Sequence, residues 1–183
     1  MIRLQHLIGL PVIEVGAGKQ VGHVKDAWFN EHWQLDGIIL DAGRRFLSAM
    51  KAVLCREVLV FGDDAVLIMN ESSVSRMETA IVQRSFHTGV IRLKDLPVVT
   101  AYGEQLGRVS DVYFDELQGT QIVGYELTDG FIADLMEGRK WLPAPLDADA
   151  VMLGENVIIV PAGSEANLEP VAVSDLNIGR NEP

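Results

Sequence analysis

Two stretches of thirteen residues in this chain share one pattern, although they begin 85 positions apart. Residues 18–30 read GKQVGHVKDAWFN, and residues 103–115 read GEQLGRVSDVYFD. Three further blocks recur in the same order: LIGLPVIEV (7–15) with LKDLPVVTA (93–101), LDGIIL (35–40) with IVGYEL (122–127), and FGDDAVLIM (61–69) with LGENVIIVP (153–161). Internal repeats limit the folds available to a chain more than any local pattern does. The sequence therefore predicts two copies of one structural unit.

Each copy has the pattern of short β-strands separated by tight turns. Val12–Val15 and Val98–Ala101 are rich in β-branched residues and follow a proline, which is tolerated where a strand begins. Gly18–Gly22 and Gly103–Gly107 have the spacing of hairpins, in which glycine adopts the positive φ that other residues resist. Further along, a period of two puts four side chains on the core face of a strand in each copy: Ile38, Leu40, Tyr125 and Leu127.

Short, glycine-rich strands favour a small barrel, because barrel closure removes exposed strand edges. We expect a mainly β fold of two tandem barrels, over residues 1–72 and 90–168, with short connecting helices. Residues 73–84 have the pattern of a helix within a connector at 73–89, and a helical insert is predicted near 131–138. Residues 169–183 lack periodicity and are expected to form a flexible tail.

The repeated blocks resemble the PRC-barrel family over roughly residues 3–72 and 90–163. The resemblance is carried by the Leu-Pro opening, the Gly-x-x-apolar-Gly turn, the Asp before an aromatic pair, and the glycine-led apolar strand. The chain is similar to small bacterial members of this family. Related barrels form the cytoplasmic domain of the photosynthetic reaction-centre H subunit and the C-terminal half of ribosome-maturation factors. The resemblance implies binding of protein partners through a barrel, with no shared catalytic mechanism.

Composition excludes several classes of partner. Fifteen basic against 26 acidic residues give a formal charge of −11, and the basic residues form no cluster longer than a pair. A field of this sign repels phosphate backbones, which argues against direct binding of nucleic acid. The sequence contains no apolar run long enough to predict a membrane span. Its single cysteine fits a reducing compartment, so we expect a cytoplasmic protein.

Few residues have the spacing of a catalytic or metal site. The four histidines (His6, His23, His32 and His87) are scattered, and Arg108 replaces His23 in the second copy, so we predict no metal. We interpret Cys55 as a small buried apolar residue, because no histidine partner is evident. Asp26 and Asp111 occupy matched positions, and we expect each to accept hydrogen bonds from nearby backbone amides. No glycine-rich phosphate loop opens a helix, so no cofactor is expected.

The aromatic pairs are the best candidates for a contact surface. Trp28–Phe29 and Tyr113–Phe114 are neighbours on strands, so the two rings of each pair point to opposite faces. The outer ring either packs against the other barrel or a connecting helix, or docks a partner protein. The residues we expect to form a docking surface are Trp28, Trp33, Tyr113 and Trp141.

These patterns predict a non-enzymatic interaction or assembly module that recognises a protein partner, with homo-oligomerisation left open. The alternative is an accessory factor in RNA or ribosome maturation, by analogy with the related barrels. Because of the negative charge, such a factor is expected to act through a ribosomal protein and not through the RNA itself.

Overall fold

The protein is mainly β, as the sequence predicts. The structure, a computed structural model, describes residues 1–41, 49–115, 120–145 and 150–171. Among these residues, no helix reaches the length and hydropathy that a membrane crossing requires.

The first copy is built from short strands around one long strand of 11 residues. Its elements are β1 (Ile2–Arg3), α1 (Leu4–Leu7), β2 (Pro11–Glu14), β3 (Lys19–Phe29), β4 (Leu35–Leu40), β5 (Ala49–Leu54), β6 (Val58–Phe61), β7 (Val66–Ile68) and β8 (Ser75–Glu78). Two short strands, β9 (Arg84–Ser85) and β10 (Ile91–Arg92), lead into the second copy. Short 3₁₀ turns occupy Cys55–Glu57, Glu71–Ser73 and Thr79–Ile81.

The second copy repeats this series and adds one helix. Its elements are β11 (Pro97–Thr100), β12 (Gln105–Phe114), β13 (Ile122–Thr128), α2 (Phe131–Glu137), β14 (Lys140–Pro143), β15 (Met152–Leu153), β16 (Ile158–Val160) and β17 (Glu169–Pro170). A 3₁₀ turn at Ser164–Asn167 precedes the last strand.

The two copies share one topology. The strand order is β6-β7-β2-β3-β4-β5-β8 in the first sheet and β15-β16-β11-β12-β13-β14-β17 in the second. In each sheet, the strand after the proline runs parallel to one neighbour and antiparallel to the long strand. Even the irregularity is duplicated, because the register shifts between Val12 and Ile13 and again between Val98 and Val99. The predicted duplication is therefore confirmed down to a single bulge.

The structure contains the prolines, turn glycines and buried side chains at the positions that the strand pattern predicted. Pro11 and Pro97 are the first residues of β2 and β11, and Gly18 and Gly103 adopt positive φ values of 63° and 82° in the hairpin turns. The four side chains assigned to the core face (Ile38, Leu40, Tyr125 and Leu127) are all buried. Burial of this apolar surface is the main source of stability for units of this size.

Compact packing divides the chain differently from the repeat. One unit consists of Met1–Lys94 with Asp111–Val123, and the other of Asp95–Ser110 with the described part of Gly124–Pro183. β12 therefore passes from the second unit into the first between Ser110 and Asp111.

The helix predicted over residues 73–84 is wrong. Ser75–Glu78 forms strand β8, which pairs antiparallel with β5 through Met50↔Met77 and neighbouring residues. Pairing with an open strand satisfies this segment's backbone groups and overrides its weak helical pattern. The helical insert near 131–138 is confirmed as α2, which ends at Gly138 with φ of 79°. Of the predicted tail, Glu169–Pro170 pairs with β14, and residues 172–183 lie outside the described residues.

Asp26 is fully buried in the middle of β3 and holds a distant segment of the first unit. Its carboxylate accepts hydrogen bonds from the backbone N–H groups of His87 (3.1 Å) and Thr88 (2.8 Å). It also accepts from the Ser85 hydroxyl (2.8 Å) and the Thr88 hydroxyl (2.6 Å). The predicted contact with a nearby amide is present, since the N–H of Ala27 donates to Asp26 at 2.8 Å. The amides of His87 and Thr88, which lie about sixty positions away along the chain, were not predicted. Because a buried carboxylate must be satisfied by donors, Asp26 fixes where residues 85–88 lie.

Asp111 does the same in β12, at the matched position. It accepts hydrogen bonds from the backbone N–H of Gln5 (3.0 Å) and from Nε of Arg3 (2.7 Å). Burial raises the pKa of Asp111, although the N–H groups of Gln5 and Val112 and the Arg3 guanidinium act in the opposite direction. The paired strands are equivalent too, since Trp28 lies opposite Ser85 and Tyr113 lies opposite Arg3.

Replacing Asp26 with alanine is expected to destabilise the fold by about 3 kcal/mol or more, because several buried donors lose their acceptor together. Urea unfolding followed by circular dichroism measures this change. The matched control is Asp64→Ala at an exposed turn position, for which we expect a change within about 0.5 kcal/mol. Equal effects for the two variants would show that Asp26 is not a structural anchor.

Candidate interaction surface

Trp28, the first predicted docking residue, is buried inside the first unit. Its indole lies on Gly37, its partner across β3 and β4, so closely that an added Cβ on the glycine would be 2.1 Å from Cη2 of the ring. Val82 and the partly buried Met77 cover the cluster around it. Residues of β8 and of the segment after it therefore pack around Trp28, which is buried and not available to a partner in this structure.

Trp141 makes the same kind of contact in the second unit. A Cβ on Gly124 would lie 1.9 Å from Cη2 of the half-buried Trp141 ring. Gly37 and Gly124 are the matched glycines of the repeat, yet one indole comes from β3 and the other from β14. The glycine is therefore required at this position because an indole packs directly on the backbone.

The other two predicted residues are also engaged. Trp33 is buried in the β3–β4 turn, where its ring lies 5.8 Å from that of Phe29 and 5.7 Å from the guanidinium carbon of Arg84. Tyr113 is half-buried on β12, opposite Arg3. The structure does not bring the four predicted residues together as one exposed surface. Their role in docking remains a prediction. It was based on exposed rings, and in this structure Trp28 and Trp33 are buried and Tyr113 and Trp141 are half-buried.

The histidines lie apart, each with its own neighbours. His6 contacts the carbonyl of Asp63 (3.0 Å), His23 lies 3.5 Å from Asp41, and His32 occupies the β3–β4 turn beside Glu31. In the described ranges, no three His, Cys, Asp or Glu side chains group together as metal ligands.

Cys55 borders a cavity of about 350 Å³ in the first unit. The cavity lining combines apolar and polar residues: Leu35, Asp36, Leu54, Cys55, Arg56 and Thr120. Burial raises the pKa of the Cys55 thiol to about 12, and the nearby negative charge of Asp36 adds to the shift. A thiol with this pKa stays protonated at neutral pH, so it is a poor nucleophile and a poor metal ligand.

The most unusual surface of the protein is one face of α2. Phe131, Ile132, Leu135 and Met136 expose 82%, 74%, 77% and 80% of their surface. A helix on a globular protein ordinarily turns its apolar face toward the core. In α2 this relation is reversed, and four large apolar side chains form a continuous outward stripe. We call these four residues the α2 stripe.

A polar residue on the opposite side of α2 holds the helix in this orientation. Asp134 accepts a hydrogen bond from the Thr128 hydroxyl (2.6 Å) and another from the backbone N–H of Asp129 (3.2 Å). Nε of Arg139 donates to the same carboxylate at 3.3 Å. Asp134 thereby joins the end of β13 to the start of β14 beneath the helix, and the apolar side chains are left facing outward.

Arg139 extends this anchor into the core of the second unit. It donates to the fully buried carboxylate of Glu126 at 2.6 Å, and Ser110 donates to the same oxygen at 3.1 Å. The hydrogen bond to Glu126 raises the pKa of the Arg139 guanidinium. Lys140 pairs with Asp129 at 2.6 Å. Breaking a buried pair of this kind is costly, so the base of α2 is held rigidly.

Comparison with known proteins identifies the family. The PRC-barrel domain matches residues 1–73 and 90–167. The chain belongs to the PRC-barrel family. It is similar to the uncharacterised protein YrrD of Bacillus subtilis (strain 168), with 34% identity over 134 residues, which cover 72% of each chain.

Within this PRC-barrel protein, the α2 stripe lies in the second domain, and sequence reasoning did not identify it as a site. In the sequence, the spacing of Phe131, Ile132, Leu135 and Met136 indicates a helix but not the direction in which its apolar side faces. The sequence feature that indicates an outward apolar side is Asp134 on the opposite side of the helix, followed by Arg139 and Lys140. A short helix whose polar side carries residues able to pair with its flanking strands is a candidate for apolar exposure.

Gly37→Ala is expected to destabilise the protein by about 2 kcal/mol or more, because the new methyl group overlaps the Trp28 ring and the Val53 carbonyl. Thermal and urea unfolding measure the change. The matched control is Gly16→Ala, whose Cβ meets only an ordinary contact of 3.5 Å, and we expect it to change stability by less than about 0.5 kcal/mol. A Gly37 variant as stable as the control would contradict the packing of the indole on this glycine.

Cys55 is expected to react with iodoacetamide about a thousandfold more slowly than an ordinary thiol below pH 9, because its pKa is raised from 9.0 to about 12. The rate is expected to keep rising with pH beyond 10. The matched control places an exposed thiol in the same chain through Tyr102→Cys with Cys55→Ser. Equal rates at the two positions would contradict the raised pKa.

Proposed function

We propose that this PRC-barrel protein is a non-enzymatic interaction module that binds a protein partner through the α2 stripe. The reversed orientation of α2 carries the proposal. Four large apolar side chains point outward, and partly buried polar contacts hold the helix in this position. The single cysteine, which has no intramolecular disulfide partner, favours a role in the cytoplasm.

The energetics of the stripe support binding. Each large apolar side chain that is removed from water contributes roughly 1.5–3 kcal/mol. A helix that presents adjacent apolar side chains is suited to docking into an apolar groove of a partner. A helix that is already held in place loses little conformational entropy when it docks. Monomeric proteins rarely expose this many large apolar residues together without a function.

The chemistry of the described side chains supports a non-enzymatic role. The Cys55 thiol is held in its protonated form, and the histidines contact separate partners. The most buried carboxylates, Asp26, Asp111 and Glu126, accept hydrogen bonds from the protein's own donors. These groups stabilise the fold and are not arranged around a common reacting position.

A photo-crosslinking residue placed at position 135 tests the proposal in cells. We expect a discrete adduct that weakens at least about tenfold when Ile132→Gln is added, since a buried apolar anchor is lost. The matched control places the same probe at Tyr102, which is exposed but lies outside the stripe.

Mass spectrometry of the adduct identifies the partner, and sedimentation with ribosomal subunits reveals a role in ribosome maturation. The absence of an adduct at position 135, or the same adducts from position 102, would contradict the interaction function.

A further inference from the structure

We infer that the α2 stripe docks onto the α2 stripe of a second copy of this chain, forming a symmetric dimer. This inference rests on the proposed function, since it names the partner of the same surface. The arrangement of the rows on α2, the area of the stripe and the charges around it support a second copy.

The four side chains of the stripe form two parallel rows with a groove between them. Phe131 with Leu135 forms one row spaced by four residues, and Ile132 with Met136 forms the adjacent row. Two helices that each carry such rows pack by placing a row of one in the groove between the rows of the other. The same surface then serves both partners, as a twofold interface requires. No further surface of the protein is needed to complete the contact.

The area of the stripe is sufficient for a specific contact. At exposures of 74–82%, the four side chains offer together about 550 Å², taking roughly 180 Å² for a fully exposed side chain of this size. Two copies would therefore bury on the order of 1,100 Å², near the lower limit of specific interfaces. We accordingly expect a dimer with a dissociation constant in the micromolar range.

Charged residues before, within and after α2 have partners in the second unit, and Glu137, the last residue of the helix, is exposed. Asp134 and Glu126 pair with Arg139, and Asp129 pairs with Lys140. A second copy can approach without leaving these charges unpaired. A lipid surface is a weaker candidate, because the neighbouring basic side chains that would meet lipid phosphates are engaged with carboxylates.

Charge gives the dimer a distinctive salt dependence. Each copy carries a formal charge of −11, so the copies repel each other while the stripe attracts. Salt screens the repulsion and leaves the apolar contact in place. We expect the dissociation constant to fall several-fold between about 0.05 and about 0.5 M salt. A basic protein partner would show the opposite trend.

Sedimentation velocity of the full chain over a range of concentrations tests the dimer. We expect Ile132→Gln with Leu135→Gln to raise the dissociation constant at least about tenfold. Glutamine retains helix propensity and adds no charge, so circular dichroism and the melting temperature should not change. The matched control, Tyr102→Gln, is expected to dimerise like the unmodified chain.

A thiol at the stripe provides an independent measurement. In a Cys55→Ser background, Leu135→Cys is expected to form an intermolecular disulfide at least about tenfold faster than Tyr102→Cys, because docking holds the two thiols together. Equal rates at the two positions would overturn the inference.

The remaining outcomes separate this inference from the proposed function. A monomeric chain at all concentrations, together with a stripe-dependent adduct to a different protein, would overturn the dimer and leave the interaction function standing. Stripe-dependent binding to vesicles of zwitterionic lipid, with no dimer, would overturn both. A dimer that persists in the double glutamine variant would overturn the assignment of the contact to α2.

Discussion

The fold depends on a buried carboxylate placed in the middle of each long strand. Asp26 in β3 and Asp111 in β12 occupy the same position of the repeat, and each accepts backbone N–H groups from a segment remote in sequence. Each long strand also pairs with the short strand that leads into the other copy. β9, which leads into the second copy, pairs with β3 of the first, and β1, which leads into the first copy, pairs with β12 of the second. Arg3 and Gln5, which donate to Asp111, come from the first copy, and the segment Asp111–Val123 belongs to the same compact unit as that copy.

A second polar network determines which surface the protein offers. Glu126 is buried because Arg139 and Ser110 satisfy it, and Arg139 also reaches Asp134 on α2. The polar side of the helix is therefore fixed to the strands, and its apolar side faces outward. The same polar network therefore accounts for the burial of Glu126 and for the exposure of the α2 stripe. The network fixes the helix in this orientation because removing one partner would leave the buried Glu126 carboxylate without a donor.

The same reasoning explains which predictions from sequence were accurate. Prolines at strand starts, glycines at positive φ and the period-two pattern are local signals, and the strands they predicted are present. Residues 73–84 misled because their helical pattern is weak and β5 offered an open edge with which to pair. The prediction that the aromatic residues are exposed also missed a contact with a distant segment. Trp28 is buried, because Val82 and the partly buried Met77, which come much later in the chain, pack around it.

The sequence alone determined the duplication, the mainly β class, the position of α2 and the family, because repeats, turn residues and periodicity are local properties of the chain. Only the tertiary structure decided that Trp28 and Trp33 are buried, that Asp26 and Asp111 bind segments from far along the chain, and that α2 turns its apolar stripe outward. Each of these depends on which distant groups satisfy a buried polar atom or cover an apolar ring. The spacing of residues along the sequence does not show which distant groups these are.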